Sequence, residues 1–238
     1  MGKKEMKFNG KQILGMIHLA PPSSIDKALE EIAIYERQGL YGIIIENYHG
    51  SVNDVIYLLK RLPKTKLKIG INILPNEVEE AYRIANEYDV DFIQLDYVAG
   101  TYKPNKSLDI IEYGNLGIKN PNIYIMGGVW PKYYIPIEGS HFHTDLNEGT
   151  IIADAVVVTG ERTGSETPLD KIKQFREFID IKKTKCKLII GAGLTVDNVQ
   201  EQMQYADGAI VGSAFKSNGH TMKMVDENLV KEFMDKLN

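Results

Sequence analysis

The feature that most constrains this chain is an alternation between two lengths of apolar pattern. Eight short runs rich in β-branched residues read as near-continuous hydrophobic strands: Ile13–His18, Gly42–Glu46, Leu67–Asn72, Phe92–Asp96, Ile123–Met126, Ala155–Thr159, Leu188–Ile190 and Ala209–Val211. Such runs are expected where both faces of a sheet are covered. Longer amphipathic stretches follow most of them: Ile25–Gln38, Val52–Leu62, Glu77–Tyr88, Leu169–Ile179, Val196–Tyr205 and Asp226–Leu237. Ser23 or Ser24, Thr167-Pro168 and Thr195 supply helix-start signals. Strands alternating with helices predict a parallel sheet, and eight strands close a (β/α)8 barrel. An open doubly wound sheet is the alternative. It would place a glycine-rich turn after the first strand, where this chain has His18-Leu19-Ala20-Pro21-Pro22. No nucleotide cofactor is therefore indicated.

The length of 238 residues suits one barrel domain over 1–238, since such barrels run to about 250 residues. A net charge of -4 leaves no basic surplus to neutralise a phosphate backbone, which argues against a nucleic-acid partner. The single cysteine, Cys186, cannot form an intrachain disulfide and points to a reducing cytoplasm. It precedes the seventh strand, the wrong end of a barrel for catalysis. No apolar run approaches the roughly 18 residues of a membrane span. The segment from Gly127 to Ile152 is rich in Gly, Pro and aromatics, and reads as an extended loop followed by a helix from about Asp145 to Ile152.

In barrel enzymes the active site lies at the C-terminal ends of the strands. Here those ends carry His18, Glu46, Asn72 and Asp96, then Gly127-Gly128, Thr159-Gly160, Gly191-Ala192-Gly193 and Gly212-Ser213-Ala214. The last two are the sharpest signal. Small residues let backbone N–H groups approach an anion, and barrels often hold a phosphate after strands 7 and 8. Gly191, Gly193, Gly212 and Ser213 are the expected phosphate contacts, with Thr163 and Gly164 from the loop after strand 6; simple tight turns are the alternative. Glu46, Asn72 and Asp96 are expected to be chemical groups, Glu46 and Asp96 as acid and base and Asn72 orienting substrate, with His18 assisting. Hydrogen bonding between neighbouring strand ends is the structural alternative. His141 and His143 would share one face if extended, which keeps a divalent metal open as a cofactor. No lysine closes a strand, so a Schiff-base aldolase would lack its nucleophile.

With these residues in hand, the chain resembles the BtpA/SgcQ family. The matching segments are Leu14–Leu19, Gly42–Asn47, Gly70–Leu74, Asp91–Gln94, Val156–Gly160 with Thr163-Gly164, Gly191–Thr195, and Ala206–Ala214. The resemblance covers nearly the whole chain in order. It implies a barrel of the ribulose-phosphate-binding type. The family is named for a role in photosystem I biogenesis in cyanobacteria, and relatives occur in non-photosynthetic bacteria. One departure stands out: the family is expected to show a Lys-His pair at the fifth strand's end, where this chain has Met126-Gly127-Gly128. The leading expectation is an isomerase, lyase or hydrolase acting on a small phosphorylated metabolite such as a sugar or ribosyl phosphate. The alternatives are a non-catalytic assembly or stability factor, an enzyme like phosphoribosylanthranilate isomerase, and a metal-dependent hydrolase using His18, Glu46, His141 and His143. The pattern allows a homo-oligomer without requiring one.

Overall fold

The computed structural model describes residues 4–9, 12–20, 24–104, 111–112 and 122–237. Eight parallel strands close into a barrel: β1 (Gln12–His18), β2 (Gly42–Glu46), β3 (Lys68–Asn72), β4 (Phe92–Leu95), β7 (Tyr124–Gly128), β9 (Ala155–Val158), β10 (Lys187–Ile190) and β11 (Gly208–Val211). Around the ring they run β1, β11, β10, β9, β7, β4, β3, β2. The three strands absent from that ring, β5 (Thr101–Pro104), β6 (Ile111–Glu112) and β8 (Tyr134–Pro136), form a small antiparallel sheet of their own.

Side-chain alternation explains how the barrel is filled. Leu14, Met16, Ile44, Phe92, Met126, Val157, Ile189 and Ile210 pack in its interior, together with Met6 and Phe8. Their sequence neighbours point outward, where Ile13, Ile17, Ile43, Ile45, Ile71 and Ile93 meet the helices. Gly70 leaves room for the Phe92 ring, which a Cβ there would overlap.

The helices are α1 (Ser24–Arg37), α2 (Val52–Arg61), α3 (Val78–Glu87), α4 (Phe142–Ile152), α5 (Leu169–Lys182), α6 (Val199–Gln202) and α7 (Glu227–Leu237). A capping box of Ser51 and Asp54 starts α2. Ser24 is the first residue of α1, while Ser23, the other candidate start, lies outside the described residues, as does Pro21-Pro22. Among the described residues, β5 and β6 stand between β4 and β7 in place of a helix.

Three local expectations are corrected. The helix expected from about Asp145 begins at Phe142. The helix expected over Val196–Tyr205 shrinks to α6, because Asn198 folds back on the preceding turn. Its Oδ1 accepts from Thr195 N at 2.8 Å and its Nδ2 donates to Gly193 O at 3.0 Å. Thr167 does not cap α5; its hydroxyl donates to Ala192 O at 2.8 Å and ties two mouth loops together.

Candidate active site

The strand register assembles one side of the barrel mouth. His18 pairs with Glu46 across β1 and β2, and Glu46 pairs with Asn72 across β2 and β3. All three side chains are buried, Asn72 to 1% exposure. Asn72 Nδ2 donates to Glu46 Oε1 at 2.9 Å and, more weakly, to Asp96 Oδ1 at 3.5 Å. Tyr134 Oη, from β8, donates to Asp96 Oδ2 at 3.0 Å. One amide therefore links two carboxyl groups, and both oxygens of Asp96 accept.

Desolvation dominates the charges here. Burial pushes the Glu46 carboxyl up to about 7, with Lys132 opposing the rise and Asp96 adding to it. Burial also raises Asp96, while the hydrogen bonds from Tyr134 and Asn72 pull it back. The His18 imidazole is held well below its ordinary value by burial first, then by the positive charges of Lys216 and Lys132. Its Nε2 stands 3.7 Å from Glu46 Oε2. Since burial disfavours the charged form of each, this is a neutral imidazole beside a carboxyl that titrates near neutrality.

The opposite side is built from small residues. Gly193, Gly212 and Ser213 line the same cavity as His18, Glu46, Asn72 and Asp96, and so do Thr163 and Gly164. This cavity shares Glu46, Gln94, Asp96, Lys132, Thr163 and Gly191 with an adjoining cavity of about 520 Å³, which has room for a small metabolite. Gly193 has φ 78°, and a Cβ there would collide with the carbonyl of Ser165. The loops after β9 and β11 approach closely: a Cβ on Gly164 would lie 3.4 Å from Ser213 Oγ. Gly191 also lines the cavity, but its N–H donates to Val158 O at 2.8 Å. It is therefore not a free anion donor; its missing side chain makes room for Val157.

A family model described as the BtpA family matches residues 9–238. The chain belongs to the BtpA family. An uncharacterized protein of Methanocaldococcus jannaschii is 28% identical, over 97% of each chain. The photosystem I biogenesis protein BtpA of Synechocystis is 24% identical, over 94% of this chain and 86% of its own. Among solved structures, phosphoribosyl anthranilate isomerase from Thermus thermophilus superposes with a TM-score of 0.62, over 95% of this chain and 98% of that one. Its 12% identity makes this a likeness of fold.

In this BtpA-family chain a lysine beyond the strand ends reaches the mouth. Lys132 lines the cavity, brought in by the turn after β7. Its Nζ donates to Thr163 Oγ1 at 3.2 Å and its N–H to Thr159 Oγ1 at 2.8 Å. The turn is held in an unusual shape, with Trp130 at φ 50° and Tyr133 at φ 67°. Lys171 clamps it from behind, donating to Trp130 O and Thr159 O at 2.9 Å each. Attention to strand-closing residues alone misses Lys132, four positions past Gly128. A lysine does reach the mouth, so the exclusion of imine chemistry loses its ground.

His141 and His143 do not share a face. His141 immediately precedes α4 and His143 lies in its first turn, where residues two apart diverge. The His143 ring stacks on Phe178 at 5.8 Å, on the barrel's outer surface. The hydrolase site that needed both imidazoles beside His18 and Glu46 is therefore not assembled. Among the described residues, no group of three or more His, Cys, Asp or Glu is placed to hold a metal ion. Cys186 is buried at the start of β10, and burial pushes its thiol up to about 12. No helix among the described residues is long and apolar enough to cross a membrane.

Proposed function

We propose that this chain is an enzyme acting on a small phosphorylated metabolite, such as a sugar or ribosyl phosphate, by proton transfer at the barrel mouth. Gly193, Gly212, Ser213 and the Thr163-Gly164 loop hold the phosphate, with the Lys132 ammonium supplying counter-charge. Glu46 carries the proton, Asp96 is its partner, Asn72 orients substrate and His18 assists as a neutral imidazole. Gly191 shapes the pocket without donating to the anion.

The observation that carries this reading is Glu46: a buried carboxyl facing a cavity, tied to Asn72, and shifted to about 7. A group balanced between its two forms at neutral pH can both take and give a proton. That suits isomerisation or carbon–carbon cleavage next to a carbonyl. The phosphate component is tested by titrating inorganic phosphate and ribose phosphates and following the melting temperature. No shift at millimolar concentrations would remove it.

The photosystem I biogenesis role in the Synechocystis relative's name supports a second reading, a barrel acting in assembly without turnover. The two separate cleanly in cells. Assembly predicts that Glu46→Gln and Asp96→Asn leave function intact; catalysis predicts loss of function with the fold retained.

A further inference from the structure

We propose that the ligand of this site carries its phosphate at one end and at least two hydroxyl groups at the other, the hydroxyls donating to Asn72 Oδ1 and Gln94 Oε1. This rests on the phosphate reading above and adds what the far end of the molecule must be. Asn72 Oδ1 and Gln94 Oε1 are both buried, and neither has a hydrogen-bond partner. Both residues line the cavity that the glycine loops share. A buried amide oxygen without a donor is costly, so a ligand that supplies one gains by it.

The orientation of Asn72 is dictated by its neighbours. Its nitrogen faces Glu46 Oε1 and Asp96 Oδ1, and turning the amide over would set its oxygen against both carboxyl groups. With Glu46 ionised, the oxygen is thus an acceptor with a fixed direction. Ile71 pairs with Ile93 across β3 and β4, so Asn72 and Gln94 are the next residues up on adjacent strands. Parallel strands lie about 4.8 Å apart, a spacing that two hydroxyls on neighbouring carbons can bridge.

The strand order then sets the shape of the ligand. In the ring, β3 lies four strands from β10, and β4 lies four strands from β11. In an eight-stranded barrel those positions are diametrically opposite. The acceptor pair and the small-residue loops therefore face one another across the mouth. A bare phosphate reaches one wall only; a phosphorylated polyol reaches both and lays its hydroxyl-bearing carbons beside Glu46.

Calorimetric titration of the full chain tests this with inorganic phosphate, ribose 5-phosphate and n-pentyl phosphate, whose carbon chain matches but has no hydroxyls. Ribose 5-phosphate is expected to bind about ten-fold tighter than pentyl phosphate, as two matched hydrogen bonds imply. Gln94→Met should remove most of that advantage and leave pentyl phosphate binding unchanged. Equal affinities for ribose 5-phosphate and pentyl phosphate in the wild type would overturn the hydroxyl end and leave the phosphate reading standing. Binding of none of the three would overturn both. If Gln94→Met does not fold, the wild-type ratio decides by itself.

Discussion

The two sides of the mouth are made of different materials. On the β1–β4 side the polar groups are side chains, Asn72 hydrogen-bonded to Glu46 and Asp96, and burial moves the proton affinities of both carboxyl groups. On the β9–β11 side the wall is loop backbone at small residues, with Gly164 set close to Ser213. Such a wall offers dipoles that do not titrate. The first side can exchange protons and the second can only hold. Lys132 stands where they meet, bonded to Thr163 of the holding side while its charge opposes the rise in Glu46.

The contrast is most severely tested at Glu46. Glu46→Gln removes the proton carrier but keeps the acceptor for Asn72, so kcat should fall by about 10²–10⁴-fold with ligand affinity little changed. Once a substrate is in hand, steady-state kinetics reads this; a comparable loss of affinity would mean that Glu46 only binds. The same variant has a signature in stability. Glu46 titrates at about 7 in the folded chain against an ordinary 4.5. Between those pH values the folded state holds a proton that the unfolded chain has released. Stability should therefore fall as pH rises through that window, by roughly 3 kcal/mol at most. Denaturant melts from pH 4.5 to 8 should show this slope in the wild type and lose it in the Gln variant.

On the holding side the largest effect is expected at Gly193. Alanine there must adopt φ 78° and meet the Ser165 carbonyl. Gly193→Ala should cost about 1–3 kcal/mol and distort the wall proposed to hold phosphate, without altering the pH slope from Glu46. Thermal melts and phosphate titration measure the two effects separately.

Lys132→Met should weaken phosphate binding by roughly ten- to a hundred-fold, the worth of a charge-assisted hydrogen bond, and flatten its salt dependence. If affinity and salt dependence both persist, the anion is held without Lys132. The smallest change is expected from Tyr134→Phe. It removes a hydrogen bond that holds Asp96 down, so the Asp96 pKa should rise further. Carboxyl NMR titration should detect that shift; an unchanged Asp96 would place its stabilisation in Asn72 and Lys132.

How far the site was legible follows from where each residue sits. His18, Glu46, Asn72 and Asp96 close apolar runs, and a strand's period of two turns position directly into facing. Lys132 and Tyr134 gave no such signal. They arrive through the turn after β7 and through the small sheet, in which β5 pairs with β8 across more than thirty positions, Tyr102 opposite Pro136. Gly191 and Gly193 look equivalent in sequence. Only the ladder bond to Val158 and the positive φ separate packing glycine from loop glycine. His141 and His143 depended on backbone state, since an extended segment aligns them and a helix start splits them.

The sequence by itself determined the closed parallel barrel and the polar ring at its C-terminal rim. Both are written in local periodicity, which survives without knowledge of distant contacts. Tertiary structure alone decided the amide that joins two carboxyl groups, the lysine between the two walls, and the tyrosine over Asp96. Those contacts join residues from 24 to 38 positions apart. The carboxyl titrating near 7 comes from burial, which outweighs the opposing pull of Lys132 and Asn72, and burial belongs to the folded chain.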